Sequence, residues 1–277
     1  MQSQAVRAHQ EGPRQAPNSA VLDGLKTQIR TIERGRAAVA AEHVLSLGDE
    51  TLDRALPWNG LPGHGLHEIS GDAAATGFAA GLMAGFGRIR ANGTVLWCQR
   101  ERTLYPQGLA AFGFDPDRMI LAHGANDTDI LWALEEGLRT PSLIGVVGRI
   151  SKIPPIAARR LQLAAEESGV MCLLLRPGAP HAPAGAALTR WRVTAMLGAP
   201  IDGPGFGPPS WRLELQRCRL GEAGNDNRRA ASATLGKTRA WPRNWEVEWC
   251  DETGGLALAA GLRDRPVEPR HLSDGIH

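Results

Sequence analysis

The residues with the clearest chemical spacing are the glycines within Leu66–Ala84, which reads Leu-His-Glu-Ile-Ser-Gly-Asp-Ala-Ala-Ala-Thr-Gly-Phe-Ala-Ala-Gly-Leu-Met-Ala. A short strand over Leu66–Ser70, a glycine turn over Gly71–Gly77 and a helix from Phe78 to about Arg90 is the arrangement that holds a phosphate-binding loop. Such a loop reads G-x-x-x-x-G-K-[S/T]. Its glycines let backbone N–H groups close on phosphates, its lysine neutralises the outer phosphates, and its hydroxyl holds magnesium. Here five residues, Asp72–Thr76, separate Gly71 from Gly77, the lysine position is Phe78 and the hydroxyl position is Ala79. A helix N-terminus attracts anions without a lysine, but Asp72 at the turn repels them. Losing the lysine removes a charge-assisted contact of ~1.5–3 kcal/mol, about one to two decades in affinity. The loop is therefore expected to be degenerate, with no nucleotide and no other cofactor.

The remaining chemistry-bearing residues form no site of their own. His64 and His67 are three apart but lie in a glycine-rich turn without a partner set, so no metal is expected. Cys98, Cys172, Cys218 and Cys250 contain no C-x-x-C pair; Cys98 and Cys172 sit in apolar runs and read as buried free thiols.

These residues must be positioned by an alternation of strands and helices. After the first helix come a strand over Thr94–Gln99, a short helix over Leu104–Phe112 ended by Gly113, and a strand over Met119–Ala122. A helix over Thr128–Leu138 follows, capped by Asp127 or Thr128, with Leu131, Trp132 and Leu134 on its buried face. Ser142–Val147 and Val170–Leu175 are continuous apolar runs, as central parallel strands require. Between them Pro154 and Pro155 start a helix over Ile156–Ser168. Trp191–Met196 and Trp211–Cys218 alternate like antiparallel strands. The pattern implies an α/β fold, a doubly wound, mostly parallel sheet with antiparallel edge strands.

Around this core, residues 1–19 read as a disordered tail and 20–220 as the domain with its N-terminal helix. Residues 221–240 read as a flexible basic linker, and 241–277 as a Trp-rich C-terminal extension. Leu22, Leu25, Ile29 and Ile32 give the N-terminal helix one apolar stripe. In the extension, Trp245, Val247 and Trp249 share one face of a strand, with Glu246 and Glu248 on the other. The net charge of +2 says little about partners in bulk, so any nucleic-acid binding must come from a local patch. No stretch approaches the roughly 20 apolar residues of a membrane helix, and the expected location is the cytoplasm.

The order of these elements resembles the RecA-like core. Thr51-Leu52-Asp53, Gly60-Leu61-Pro62 and Glu68-Ile69-x-Gly71 are similar to the approach to the RecA phosphate loop. Gln99-Arg100-Glu101-Arg102-Thr103-Leu104-Tyr105-Pro106 resembles the segment carrying the catalytic glutamate, which falls on Glu101. Ser142–Ile150 lies at the Walker B strand, with Val147 matching and Gly148 at the aspartate position. Within that superfamily, the lysine-free loop, the Trp-Cys-Gln-Arg-Glu run, Val-Val-Gly-Arg-Ile and the Trp-rich tail near Gly-Leu-Arg-Asp-Arg-Pro resemble the ImuA family, over about Val21 to Pro266. The resemblance implies a RecA-like adaptor without ATP turnover in SOS-induced, error-prone translesion DNA synthesis. It implies work with an ImuB-type Y-family polymerase relative and an error-prone polymerase III α-type subunit, with RecA as a further partner. A divergent ATPase using Glu101 and a SulA-like inhibitor of cell division are the alternatives.

On this view Glu101 is vestigial and forms an ion pair with Arg100 or Arg102, because nothing beside it holds a γ-phosphate or magnesium. The counterparts of the DNA-contacting loops, near Arg149–Pro155 and Arg176–Ala187, carry Arg149, Lys152 and Arg176 but no aromatic residue for base stacking. The stretch with Arg228, Arg229, Trp241, Arg243 and Trp245 is the better single-stranded DNA candidate, though weak. Trp245 and Trp249 either anchor a protein partner from a flexible tether or pack on the core as an edge strand. Leu25 and Ile29, on the apolar stripe, are candidate contacts to RecA or to a second copy of the chain.

Overall fold

The computed structural model describes residues 44–90, 93–140, 142–178, 185–198, 207–219 and 243–259. In chain order the strands are β1 (Val44–Leu45), β2 (Leu61–Pro62), β3 (Gly65–Gly71), β4 (Thr94–Gln99), β5 (Met119–His123), β6 (Leu143–Arg149), β7 (Met171–Pro177), β8 (Thr189–Met196), β9 (Ser210–Cys218), β10 (Arg243–Cys250) and β11 (Gly255–Leu258). The α-helices are α1 (Glu50–Ala55), α2 (Ala74–Ile89), α3 (Asp127–Leu138) and α4 (Pro155–Ser168). Nine strands form one sheet in the order β11-β10-β9-β8-β3-β7-β6-β4-β5. From β8 to β5 all neighbours are parallel; β9, β10 and β11 extend the sheet antiparallel. The doubly wound, mostly parallel sheet with antiparallel edge strands expected from the sequence is what the chain forms.

Helices cover both faces. On one, α2 lies on an apolar layer that includes Trp97, Val147, Leu173, Trp191 and Leu213. On the other, α3 and α4 cover Leu66, Cys98, Val146, Cys172 and Leu174. The central strands β3, β6 and β7 are buried on both sides, which is why β6 and β7 read as nearly continuous apolar runs, whereas β3 buries His67, Glu68 and Ser70 with polar partners.

Several local expectations need correction. The short helix after β4 is a 3-10 turn over Pro106–Phe112. Helix α3 is capped by Asn126, whose side chain accepts from Asp129 N at 3.0 Å, because the chain turns extended one residue before Asp127. Trp132 is 66% exposed rather than buried with Leu131 and Leu134. The buried arc of α3 runs through Ile130, Leu131, Leu134 and Leu138, and Trp132 falls outside it.

Segment 241–277, set apart in sequence, contributes β10 and β11 to the same sheet. Of the two states open to Trp249, the packed one holds: it is 5% exposed. Its ring lies 5.8 Å from Phe112 and 6.2 Å from Trp211. Trp245, half-buried, stands 6.4 Å from Trp191 and is therefore no free stacking platform.

Candidate functional site

The site begins where β3 ends. The expected loop over Gly71–Gly77 does not exist as a loop. Strand β3 runs to Gly71 and α2 starts at Ala74, leaving a turn of two residues, Asp72 and Ala73. Gly77 lies one turn inside the helix. Its lack of a side chain serves packing, since a Cβ there would meet the Phe112 ring at 2.6 Å. Gly81 and Gly85, at successive spacings of four, repeat the device against Trp249 and Leu45. The glycine and alanine run that resembles a phosphate loop is the close-packed face of a buried helix.

The turn is fastened to its neighbour strand. Gly71 has φ +136°, and a Cβ there would lie 1.8 Å from Val193 O, so only glycine fits. Asp72 then supplies the anion at the N-terminus of α2. Its Oδ1 accepts from Ala74 N at 2.9 Å, and its Oδ2 accepts from Ala195 N of β8 at 3.0 Å. Ala75 N donates to Asp72 O and Thr76 N to Ala73 O. The backbone donors that would cradle phosphate are engaged by the protein itself, and a fixed carboxylate stands in their midst.

The lysine and hydroxyl positions are core. Phe78 is 1% and Ala79 0% exposed. The Phe78 ring lies 5.9 Å from Trp191 and 6.2 Å from Trp211. With Phe112, Trp245 and Trp249 these rings form an aromatic wall between α2 and the antiparallel end of the sheet. Gly148, at the Walker B aspartate position, faces α3 and not α2: a Cβ there would meet Leu134 Cδ1 at 2.4 Å. No carboxylate fits, and one built there would point away from the turn.

A crevice of about 510 Å³ nevertheless remains at the carboxyl ends of β3, β4, β6 and β7, where open α/β sheets bind ligands. Asp72, Thr76, Gln99, Tyr105, Phe112 and Arg149 are among its lining residues. Glu101 is joined to this lining through Arg149: its carboxylate pairs with Arg149 Nε at 3.8 Å, not with Arg100 or Arg102. Arg100 reaches Asp127 instead, at 3.8 Å. Arg100 is drawn to Asp127, while Arg149, at the end of neighbouring β6, comes up beside Glu101. The pair is open to solvent, with Glu101 52% and Arg149 33% exposed. Among the described residues that line the crevice there is no lysine to hold a phosphate beside that glutamate.

No family model matches the chain. Protein ImuA of Caulobacter vibrioides, in each of two strains, is 36% identical over 198 residues, covering 65% of this chain and 81% of that protein. The chain belongs to the ImuA family. A KaiC-like protein from Pyrococcus horikoshii superposes with a TM-score of 0.48 at 14% identity, covering 78% of this chain and 98% of that one.

In this ImuA-family chain the predicted site residues are not brought into one place. Gly71 and Gly77 line the crevice, Glu101 pairs with the lining residue Arg149, Phe78 and Ala79 are buried, and Gly148 faces the opposite layer. Arg243, Trp245 and Trp249 are on β10. Leu25, Ile29, Arg228, Arg229 and Trp241 lie outside the described residues, as does the 221–240 linker.

Sequence reasoning missed two polar clusters. Glu68, 3% exposed in mid-β3, accepts from Arg190 Nε at 3.0 Å and Arg176 Nη1 at 3.3 Å. A glutamate in the middle of the buried strand β3, with one arginine at the end of β7 and one early in β8, was the available signal. On the other side of β3, His67 Nδ1 lies 2.8 Å from Thr189 Oγ1. Nε2 faces two carbonyl oxygens, Pro62 O at 3.0 Å and His64 O at 3.2 Å, which can only accept, so it carries the ring hydrogen of the neutral imidazole. Nδ1 then accepts from the Thr189 hydroxyl, which itself accepts from Trp191 Nε1 at 2.9 Å. Burial drives the His67 pKa down to about 4. Cys98 and Cys172 are buried free thiols, as expected, with Cys98 pushed up to about 12 by the same desolvation.

Proposed function

We propose that this ImuA-family protein is a non-catalytic RecA-like adaptor in SOS-induced, error-prone translesion synthesis. It works with an ImuB-type Y-family polymerase relative and an error-prone polymerase III α-type subunit, and RecA is a further candidate partner. The observation that supports it best is the filled phosphate-loop position. Asp72 takes the anion's place at α2 while Phe78 stands in the aromatic core where a lysine would have to be. Positioning and charge neutralisation carry most of phosphoryl transfer, and both are missing here. What such a chain retains is a shaped surface.

Calorimetric titration with Mg-ATP and a non-hydrolysable analogue, to millimolar nucleotide, tests the absence of turnover. No heat of binding is the expected result. Binding tighter than about 100 μM, roughly −5.5 kcal/mol, overturns it in favour of a nucleotide-regulated switch. Co-purification with the ImuB-type and RecA proteins, each offered separately, tests the adaptor role; retention of neither removes it.

A further inference from the structure

The crevice at the carboxyl ends of β3, β4, β6 and β7 is unsuited to phosphate, yet its walls carry groups that want a ligand. Gln99, the last residue of β4, lines it and is 2% exposed. Its Nε2 donates to Glu101 O, a carbonyl that can only accept, which fixes Oε1 as the acceptor end of the amide. Among the described residues nothing donates to that oxygen, and it is not sealed inside the protein. A nearly buried acceptor left without a donor costs about 1–3 kcal/mol, which a ligand N–H would recover.

Asp72 is the second open acceptor. It is exposed, and its carboxylate takes only the amides of Ala74 and Ala195, so lone pairs are left over. The N-terminus of α2 supplies roughly half a positive charge, too little to cancel a full carboxylate. Arg149, the one cation among the described lining residues, is already answered by Glu101. The crevice therefore keeps a negative charge. Beside these oxygens stands Tyr105, 69% exposed, with its ring over Gly108, where an added Cβ would meet Cδ1 at 3.1 Å. An open aromatic ring next to a carboxylate and an amide oxygen suits a flat cation, which stacks on the one and donates to the others.

We infer that the crevice receives an arginine side chain presented by a partner polypeptide. The inference rests on the adaptor reading and deepens it, since a site closed to phosphate is free to read a cation. Tyr105 is the one tyrosine of the chain, so fluorotyrosine labelling of the full chain gives a single fluorine NMR signal at the crevice. The probes are N-acetyl-arginine methylamide and its lysine and citrulline analogues. The arginine probe should shift the signal saturably, with a midpoint below about 10 mM. Neutral citrulline should bind at least tenfold more weakly through loss of the charge-assisted contact, and lysine more weakly than arginine for want of a planar fork. Asp72→Asn keeps a cap and removes the charge; shown folded by circular dichroism, it should weaken the arginine probe at least tenfold and leave citrulline unchanged. The comparison of arginine with citrulline on the unaltered chain decides the matter even where that variant unfolds. No saturable shift, equal binding of arginine and citrulline or of arginine and lysine, or displacement of arginine by adenosine overturns the inference. So does a signal that moves with protein concentration before any probe is added, which would assign the crevice to a second copy. Mg-ATP is titrated separately: a shift with ATP brings down the adaptor reading and this inference together, whereas silence from both ATP and arginine removes this inference alone.

Discussion

The two sides of β3 solve the same problem in opposite ways. Toward α2, the strand presents His67, Ile69 and Gly71 to an aromatic layer in which Phe78, Trp191 and Trp211 stack edge to face or tilted. Toward α4, it presents Glu68, which is held by two arginines. One side gains from apolar burial and ring geometry, without direction beyond the rings' preferred angles. The other depends on one carboxylate satisfying two guanidiniums in a nearly dry place, where loss of a single partner strands a charge. The two sides therefore tolerate different substitutions: the aromatic side resists changes of charge and volume, the ionic side resists changes of partner.

The largest effect expected is from Phe78→Lys, which restores the loop's missing lysine in sequence. It removes a ring worth about 3–5 kcal/mol and buries an ammonium without a partner. The chain should be largely unfolded by circular dichroism at 25 °C; a folded variant that binds ATP would mean that the aromatic side is adaptable.

Glu68→Ala attacks the other side and should lower the unfolding free energy by about 3–5 kcal/mol in urea titration, because Arg176 and Arg190 remain buried. A loss below 1 kcal/mol would show that water reaches both guanidiniums.

Next comes pH. An imidazole whose folded pKa is below its unfolded value takes up protons more readily when unfolded. The stability due to His67 is thus complete above about pH 6.5 and is lost as pH falls toward 4, by about 3 kcal/mol in all. Urea midpoints at pH 7.0, 5.5 and 4.5 should fall in that order, and His67→Gln should flatten the trend. An equal slope in the variant assigns the effect to other groups.

The smallest pair sharpens the aromatic side alone. Gly81→Ala should destabilise by about 1 kcal/mol or more, since its Cβ meets Trp249 Cζ3 at 2.6 Å. Gly87→Ala, with Ile144 Cδ1 at 3.4 Å, should stabilise by up to about 1 kcal/mol through helix propensity. Equal signs for the two by thermal melting would contradict the close approach of α2 to β10.

Much of the fold was legible in the residues. Leu143–Arg149 and Met171–Pro177 announce themselves as buried strands because parallel strands covered on both faces have no polar side to show. The start of α2 was not legible. A glycine in sequence signals either backbone freedom or missing volume, and only the position of the Phe112 ring shows that Gly77 provides the second. The partner of Glu101 was equally hidden, because Arg100 is drawn to Asp127 while Arg149 arrives from another strand.

By itself the sequence determined the alternation of strands and helices, the absence of a lysine and a hydroxyl where a phosphate loop needs them, and the family resemblance. Those depend on local periodicity and residue identity. Only the tertiary structure decided that Asp72 closes the helix N-terminus, that the tryptophans of β10 seal the layer over α2, and that Glu68 lies between two arginines. Each of these joins residues far apart in the chain, and their energies arise from burial that no local pattern encodes.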